Sequence, residues 1–189
     1  MAPASPEDSS ALRRLLGPGS RLGLVAAIAA AVVAVDQVTK LLAVQFLEGE
    51  DRIEILGGLV QLQFFRNFAG PNNLFGGHTV LISVFAILAV IVLLVIAFRI
   101  STTAAAIAVG LLLGGALGNL IDRIVREPSP LHGGVVDWLK LTSLSKSMNV
   151  ADLAIDAAVV VMLVTAVLAW WRDREDERRA QGEPRAGER

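Results

Sequence analysis

Four aspartates stand where this largely apolar 189-residue chain gives them little polar company. Asp36 opens DQVTK (36–40) and Asp122 closes an uncharged run from Ile100 to Ile121. Asp137 lies in GGVVDWL (133–139), and Asp152 begins the apolar stretch MNVADLAIDAAVVVMLVTAVLAWW (148–171). Two carboxylates brought close together cannot both ionise cheaply, so one keeps a proton while the other stays anionic. The anion can then take a proton from water while its partner donates one to a carbonyl oxygen, which is aspartic peptidase chemistry. Asp137 and Asp152 are the candidates for such a pair. Spacing alone does not select them, since any two of the four acids could be matched. Asn149, three residues before Asp152, suits either a hydrogen bond to the site or an N-cap of the following helix.

The other polar residues have competing roles. Asp36 and Lys40 are four apart with the acid first, the favourable helical order, so an ion pair that fixes the first apolar helix leads. The alternative has Lys40 binding an anionic head group or a substrate carbonyl. Ala106, Gly110, Gly114 and Gly118 recur every four residues, a small-residue stripe that admits a neighbouring helix, and Asp122 is the next position on it. Asp122 should therefore face the bundle interior, with Asn119 beside it. It could serve function or lock helices by pairing with Lys40 or Arg123. Asp156 places a further negative charge one turn beyond Asp152, and spacing gives it no role. The chain has no cysteine, hence no thiol nucleophile or disulfide. His78 and His132 do not make a metal site by themselves, so no metal or cofactor is expected.

These residues must be held by membrane-type elements. Hydrophobic residues make up 54% of the chain and the mean hydropathy is +0.61, too apolar for a water-soluble domain of this length. A bilayer core of roughly 30 Å needs about 20 helical residues. Four runs qualify, near 22–44, 79–98, 103–121 and 151–171. The first could be a cleaved secretory signal, but its apolar character continues past Lys40, which favours an anchored helix. RIEILGGLVQLQFF (52–65) alternates apolar and polar residues around Gly57-Gly58, a strand pattern. The expected fold is an all-α membrane protein with four transmembrane helices and a small extracytoplasmic β-sheet element between the first two. Residues 1–20 and 173–189 read as disordered cytoplasmic tails flanking one domain over 21–172. Arg13, Arg14, Arg21, Arg99 and the six C-terminal arginines favour both ends inside. Every displaced polar residue then gathers at the outer boundary. Net charge is −1 with no basic stripe, so no nucleic-acid partner is expected. A proton or ion carrier using Asp36, Asp122 and Asp152, or a non-catalytic scaffold, remains open from spacing alone.

The motifs themselves go further. DQVTK (36–40), RN (66–67), GGALGNLIDR (114–123), GGVVDW (133–138) and NVADLAI (149–155) occur in an order that resembles the lipoprotein signal peptidases, or signal peptidases II, over about residues 22–171. The resemblance implies a four-span bacterial aspartic peptidase of the inner (cytoplasmic) membrane, with its termini cytoplasmic and its active site at the outer leaflet. It implies Asp137 and Asp152 as the catalytic pair, with Asp36, Lys40, Asn67, Asn119, Asp122, Arg123 and Asn149 as substrate-binding or site-building residues. The implied substrate is a prolipoprotein carrying a diacylglyceryl-modified cysteine, cut immediately before that cysteine, with membrane lipid as surroundings and no metal or cofactor. Four features depart from the family pattern: RNFAGPNNLFGG (66–77) in place of a small-residue loop, Met148 in place of Phe before Asn149, Leu153 after the second aspartate, and Asp156. A diverged, weakly active member of the family is the corresponding alternative.

Overall fold

The structure, a computed structural model, describes residues 21–68, 78–128, 130–144 and 146–180. The expectations for the N-terminal tail, the altered 69–77 loop and residues 181–189 lie outside them.

Four helices are long and apolar enough to cross a membrane: α1 (Leu22–Leu47), α2 (Thr79–Ala97), α3 (Thr103–Val125) and α4 (Val150–Ala180). They occupy the four expected runs, and the chain is a multi-pass membrane protein. α4 extends past the expected span. Residues 173–180, read from sequence as part of a disordered tail, are helical instead. RDREDERRA is rich in good helix formers, and Arg179 reaches back to Glu175 at 2.8 Å, an i,i+4 pair. Trp170 and Trp171 stand where the apolar run ends, with the Arg174 guanidinium 4.2 Å from the Trp170 ring centroid. That is the amphipathic arrangement favoured at a membrane–water interface.

α3 is the central helix: half of its apolar window is buried, against less than a quarter in each of the others. Its composition explains this. At Gly114 an added Cβ would come within 2.7 Å of the Val32 Cβ, and at Gly110 within 2.9 Å of the Ile28 Cβ, so the small-residue stripe is the seat of α1. Gly115, one position round the helix, admits the Ala151 backbone and Ile155 of α4. Val25, Ala29, Val90, Ala97, Ala106, Val109, Leu113 and Leu120 form the core where α1, α2 and α3 meet. Large apolar side chains such as Leu41, Phe46, Val92 and Leu163 point outward, as lipid-facing positions should.

A four-stranded antiparallel sheet, in the order β1-β2-β3-β4, sits at one end of the bundle. β1 (Ile53–Ile55) and β2 (Val60–Asn67) form the expected hairpin around Gly57 and Gly58, whose positive φ values of 65° and 85° suit residues without a Cβ. The other half is larger than the sequence suggested. β3 (Val135–Leu141) and β4 (Lys146–Met148) come from the α3–α4 connection. The VVD start of β3 is buried on both faces, so it lacks the period-two alternation that reveals a half-exposed strand. Thr142 fastens the two halves, its Oγ1 donating to the Gly58 carbonyl at 2.6 Å.

Candidate active site

β3, β4, the end of α3 and the start of α4 converge, and their polar residues meet in two layers. The deeper layer is built on Lys40. This side chain is fully buried, and its three ammonium hydrogens have three acceptors: Asp36 Oδ2 at 2.8 Å, Asp122 Oδ2 at 3.0 Å and Asn119 Oδ1 at 3.0 Å. A buried ammonium is tolerable only when so completely paired. The i,i+4 ion pair expected for Asp36 and Lys40 is therefore present, enlarged by Asp122. The partner suggested for Asp122 changes in part. It pairs with Lys40 and with Arg126 at 2.8 Å, whereas Arg123 directs Nη1 to the Asn119 carbonyl. Arg126 is four residues after Asp122, and that spacing was a usable signal. Gln37, inside DQVTK, donates to Asp36, Asp122 and the Gly118 carbonyl, and no sequence signal marked it.

Each of the two aspartates of this layer also accepts from a backbone amide, Asp36 on its second oxygen and Asp122 on the oxygen that faces Lys40. Asp36 Oδ1 accepts from the Ala151 amide at 2.9 Å, and Asp122 Oδ2 accepts from the Val136 amide at 3.0 Å. Ala151 immediately precedes Asp152, and Val136 immediately precedes Asp137. The lysine-centred cluster thus anchors the backbone one residue before each member of the upper pair, from two segments distant in sequence. Gly118 keeps this arrangement tight, because a Cβ there would lie 2.6 Å from Asp36 Oδ2. Gly118→Ala is expected to push Asp36 off Lys40 and lower turnover about ten- to a hundredfold, the scale for a displacement near 1 Å. Turnover at the wild-type rate would show that Asp36 need not be held there.

The upper layer contains Asp137 and Asp152. They line one cavity of about 60 Å³ together with Asn67, Asn119, Arg123, Val135 and Lys146, with room for more than one water molecule. Asparagines hold each carboxyl. Asn67 lies two residues along the β2–β3 register from the position opposite Asp137, on the same face, and donates to Asp137 Oδ2 at 3.1 Å. Asn149 donates to Asp137 Oδ1 at 2.7 Å and to Asn119 Oδ1 at 3.1 Å. Asn119 in turn donates to Asp152 Oδ1 at 2.9 Å. A continuous bridge therefore runs Asp137–Asn149–Asn119–Asp152. Asn149 also accepts from the Asp152 amide at 3.0 Å, so its two readings from sequence, helix cap and site residue, hold together. Arg123 is 5% exposed, and its Nε has no partner among the described residues.

Burial raises the Asp137 carboxyl to about 7, and the Asp152 charge pushes in the same direction. The amides of Asn67 and Asn149 and the Lys40 charge oppose the rise without cancelling it. A carboxyl on this footing holds its proton near neutrality beside a second carboxylate, the asymmetry that proton exchange with a bound water requires.

The remaining residues singled out from sequence lie elsewhere. Arg66 of the RN pair turns outward and meets Glu48 at 3.1 Å. Asp156 is exposed on the flank of α4 rather than in the cavity. His78 and His132 line a separate open groove with Thr79, Val80, Leu81 and Val84.

Fold and site together define a polytopic membrane protein with a carboxylate-lined cavity at one end of its helix bundle. Residues 28–168 match the family model described as signal peptidase (SPase) II. Over 164 residues the chain is 34% identical to the lipoprotein signal peptidase of Mycobacterium leprae, covering 87% of this chain and 81% of that one. Over 152 residues it is 37% identical to that of Leifsonia xyli, covering 80% and 70%. A bacterial membrane enzyme structure determined in meso at 1.9 Å resolution superposes with a TM-score of 0.67 at 25% identity, covering 78% of this chain and 95% of that one. The chain belongs to the signal peptidase II family and is a membrane protease. That assignment favours neither the carrier nor the scaffold reading.

Proposed function

We propose that this protein is an aspartic endopeptidase that removes signal peptides from diacylglyceryl-modified prolipoproteins, cutting immediately before the lipidated cysteine. The observation that carries this reading is the lining of one small cavity by Asp137 and Asp152, with the Asn149–Asn119 bridge between them. Asp152, as the base, takes a proton from the cavity water as its oxygen attacks the scissile carbonyl carbon. Asp137, as the acid, delivers its proton to the carbonyl oxygen, giving a tetrahedral diol. Collapse of the diol returns a proton to Asp137 and breaks the C–N bond. The proton taken up by Asp152 passes to the departing cysteine nitrogen, and both carboxyls return to their starting state. Arg123, whose Nε has no other partner among the described residues, suits a substrate backbone carbonyl.

The arginine distribution supports an orientation in the bacterial cytoplasmic membrane with both termini cytoplasmic and the sheet end outside. The scissile bond then lies at the outer leaflet, where the acyl chains of the modified cysteine stay in lipid and the mature chain enters water.

The pH dependence tests the division of labour. Asp137 must carry its proton to act as the acid, and that proton is lost as pH rises through about 7. kcat/KM for a neutral lipopeptide is therefore expected to fall above about pH 7, approaching tenfold per unit. A rate that still climbs between pH 7 and 9 would assign the acid to another group.

A further inference from the structure

Among the described residues, Lys146 is the one polar cavity-lining group that neither the anchoring cluster nor the hydrolytic cycle uses. It is the first residue of β4, half-buried, and shares the cavity with Asp137 and Asp152. Of the other cations around the site, Lys40 is committed to Asp36 and Asp122, Arg126 to Asp122 and Arg66 to Glu48, while Arg123 turns Nη1 to the Asn119 carbonyl and is assigned above to a substrate carbonyl. Lys146 makes no ion pair or side-chain hydrogen bond with any described residue. The charges that bear on Asp137 are those of Asp152 and Lys40. A half-desolvated ammonium at a cavity lined by acids gains most from an acceptor that arrives with the substrate.

The place of Lys146 in the fold says which part of the substrate that is. β4 pairs with β3 on one side only and so is an edge of the sheet, and it lies on the far side of Asn149 from the α4 span. On the reading proposed above, on which this inference rests, the signal peptide occupies the membrane side of the scissile bond. The residues after the lipidated cysteine leave past the sheet. An extended chain advances about 3.3 Å per residue, so roughly three residues lie within reach of a lysine side chain rooted there. We infer that Lys146 is a specificity-determining residue that favours prolipoproteins with an aspartate or glutamate among the first three residues after the lipidated cysteine.

The test uses the purified full chain in neutral micelles with three diacylglyceryl peptides that carry Asp, Asn or Lys at the second residue after the cysteine. The expected order of kcat/KM is Asp, Asn, Lys, with about three- to fivefold between neighbours, the range for a partly exposed ion pair. The spread should shrink as salt is raised. Lys146→Gln should bring the Asp-to-Lys ratio close to one, and Lys146→Glu should invert it. Equal cleavage of all three peptides by the wild-type protein overturns the inference and leaves the peptidase reading standing, whereas no cleavage of any peptide overturns both. Two further results would also overturn it. One is a wild-type to Lys146→Gln difference that follows anionic lipid in vesicles and not peptide charge, which makes the partner a head group. The other is a pH–rate profile displaced equally for every peptide, which makes Lys146 an electrostatic neighbour of the acid pair.

Discussion

Asp137→Asn and Asp152→Asn are each expected to reduce cleavage of a diacylglyceryl-modified reporter by about 1,000-fold, the middle of the range that one acid–base group contributes. The substitution keeps size and shape: in Asp152→Asn the remaining oxygen still accepts from Asn119, and in Asp137→Asn it keeps one of the two contacts with Asn149 and Asn67. What it removes is the ability to exchange a proton. The fold should therefore survive, with the thermal midpoint in detergent near that of the wild type. The effects should also be strongly non-additive, because the two carboxyls act on one water: the double variant should be about as slow as either single one. Wild-type rates in either variant would remove that residue from the catalytic pair. A large loss of rate accompanied by unfolding would instead make it a structural acid.

Lys40→Met is the second large effect, and it acts through stability. Methionine matches the length of the lysine stem but satisfies none of Asp36, Asp122 and Asn119. Asp36 would then lose the cation it pairs with and Asp122 would keep only Arg126, a loss of about 3–5 kcal/mol by analogy with broken buried ion pairs. For a domain of this size that is a fall in thermal midpoint of about 10 °C. Activity should fall further than stability alone explains, since the same aspartates hold the Ala151 and Val136 amides beside Asp152 and Asp137. Adding Asp36→Asn to Lys40→Met removes the unpaired charge and should restore part of the midpoint but not the turnover. An unchanged midpoint in Lys40→Met would mean the cluster is not the keystone described above. Lys40→Arg should not substitute, because a planar guanidinium cannot reproduce three donors radiating from one nitrogen.

Several features were legible in the chain before any coordinates. Four runs of sufficient length and apolarity dictate four helices, because lipid leaves the backbone no other partner for its N–H and C=O groups. The four-residue recurrence of Ala106, Gly110, Gly114 and Gly118 places Asp122 inward, because side chains at that spacing share a helix face. Asp36 and Lys40 declare an ion pair for the same reason, and the alternation around Gly57-Gly58 declares a hairpin. Each of these is local, set by the period of one element.

The tertiary structure decided what no period contains. β3 and β4 add themselves to that hairpin only because β2 offers an edge, and their buried start hides the strand pattern. Arg126 and Gln37 join the anchoring cluster across elements. Asp156, alike in type to Asp152 and one turn away, is exposed on the flank of α4, whereas Asp152 is half-buried where α4 begins beside the sheet. Above all, the shared cavity of Asp137 and Asp152 depends on α1 and α3 each extending one carboxylate to a backbone amide in another segment. The sequence determined which acids exist and on which elements they ride. Their meeting was decided by long-range packing, which chain spacing cannot encode.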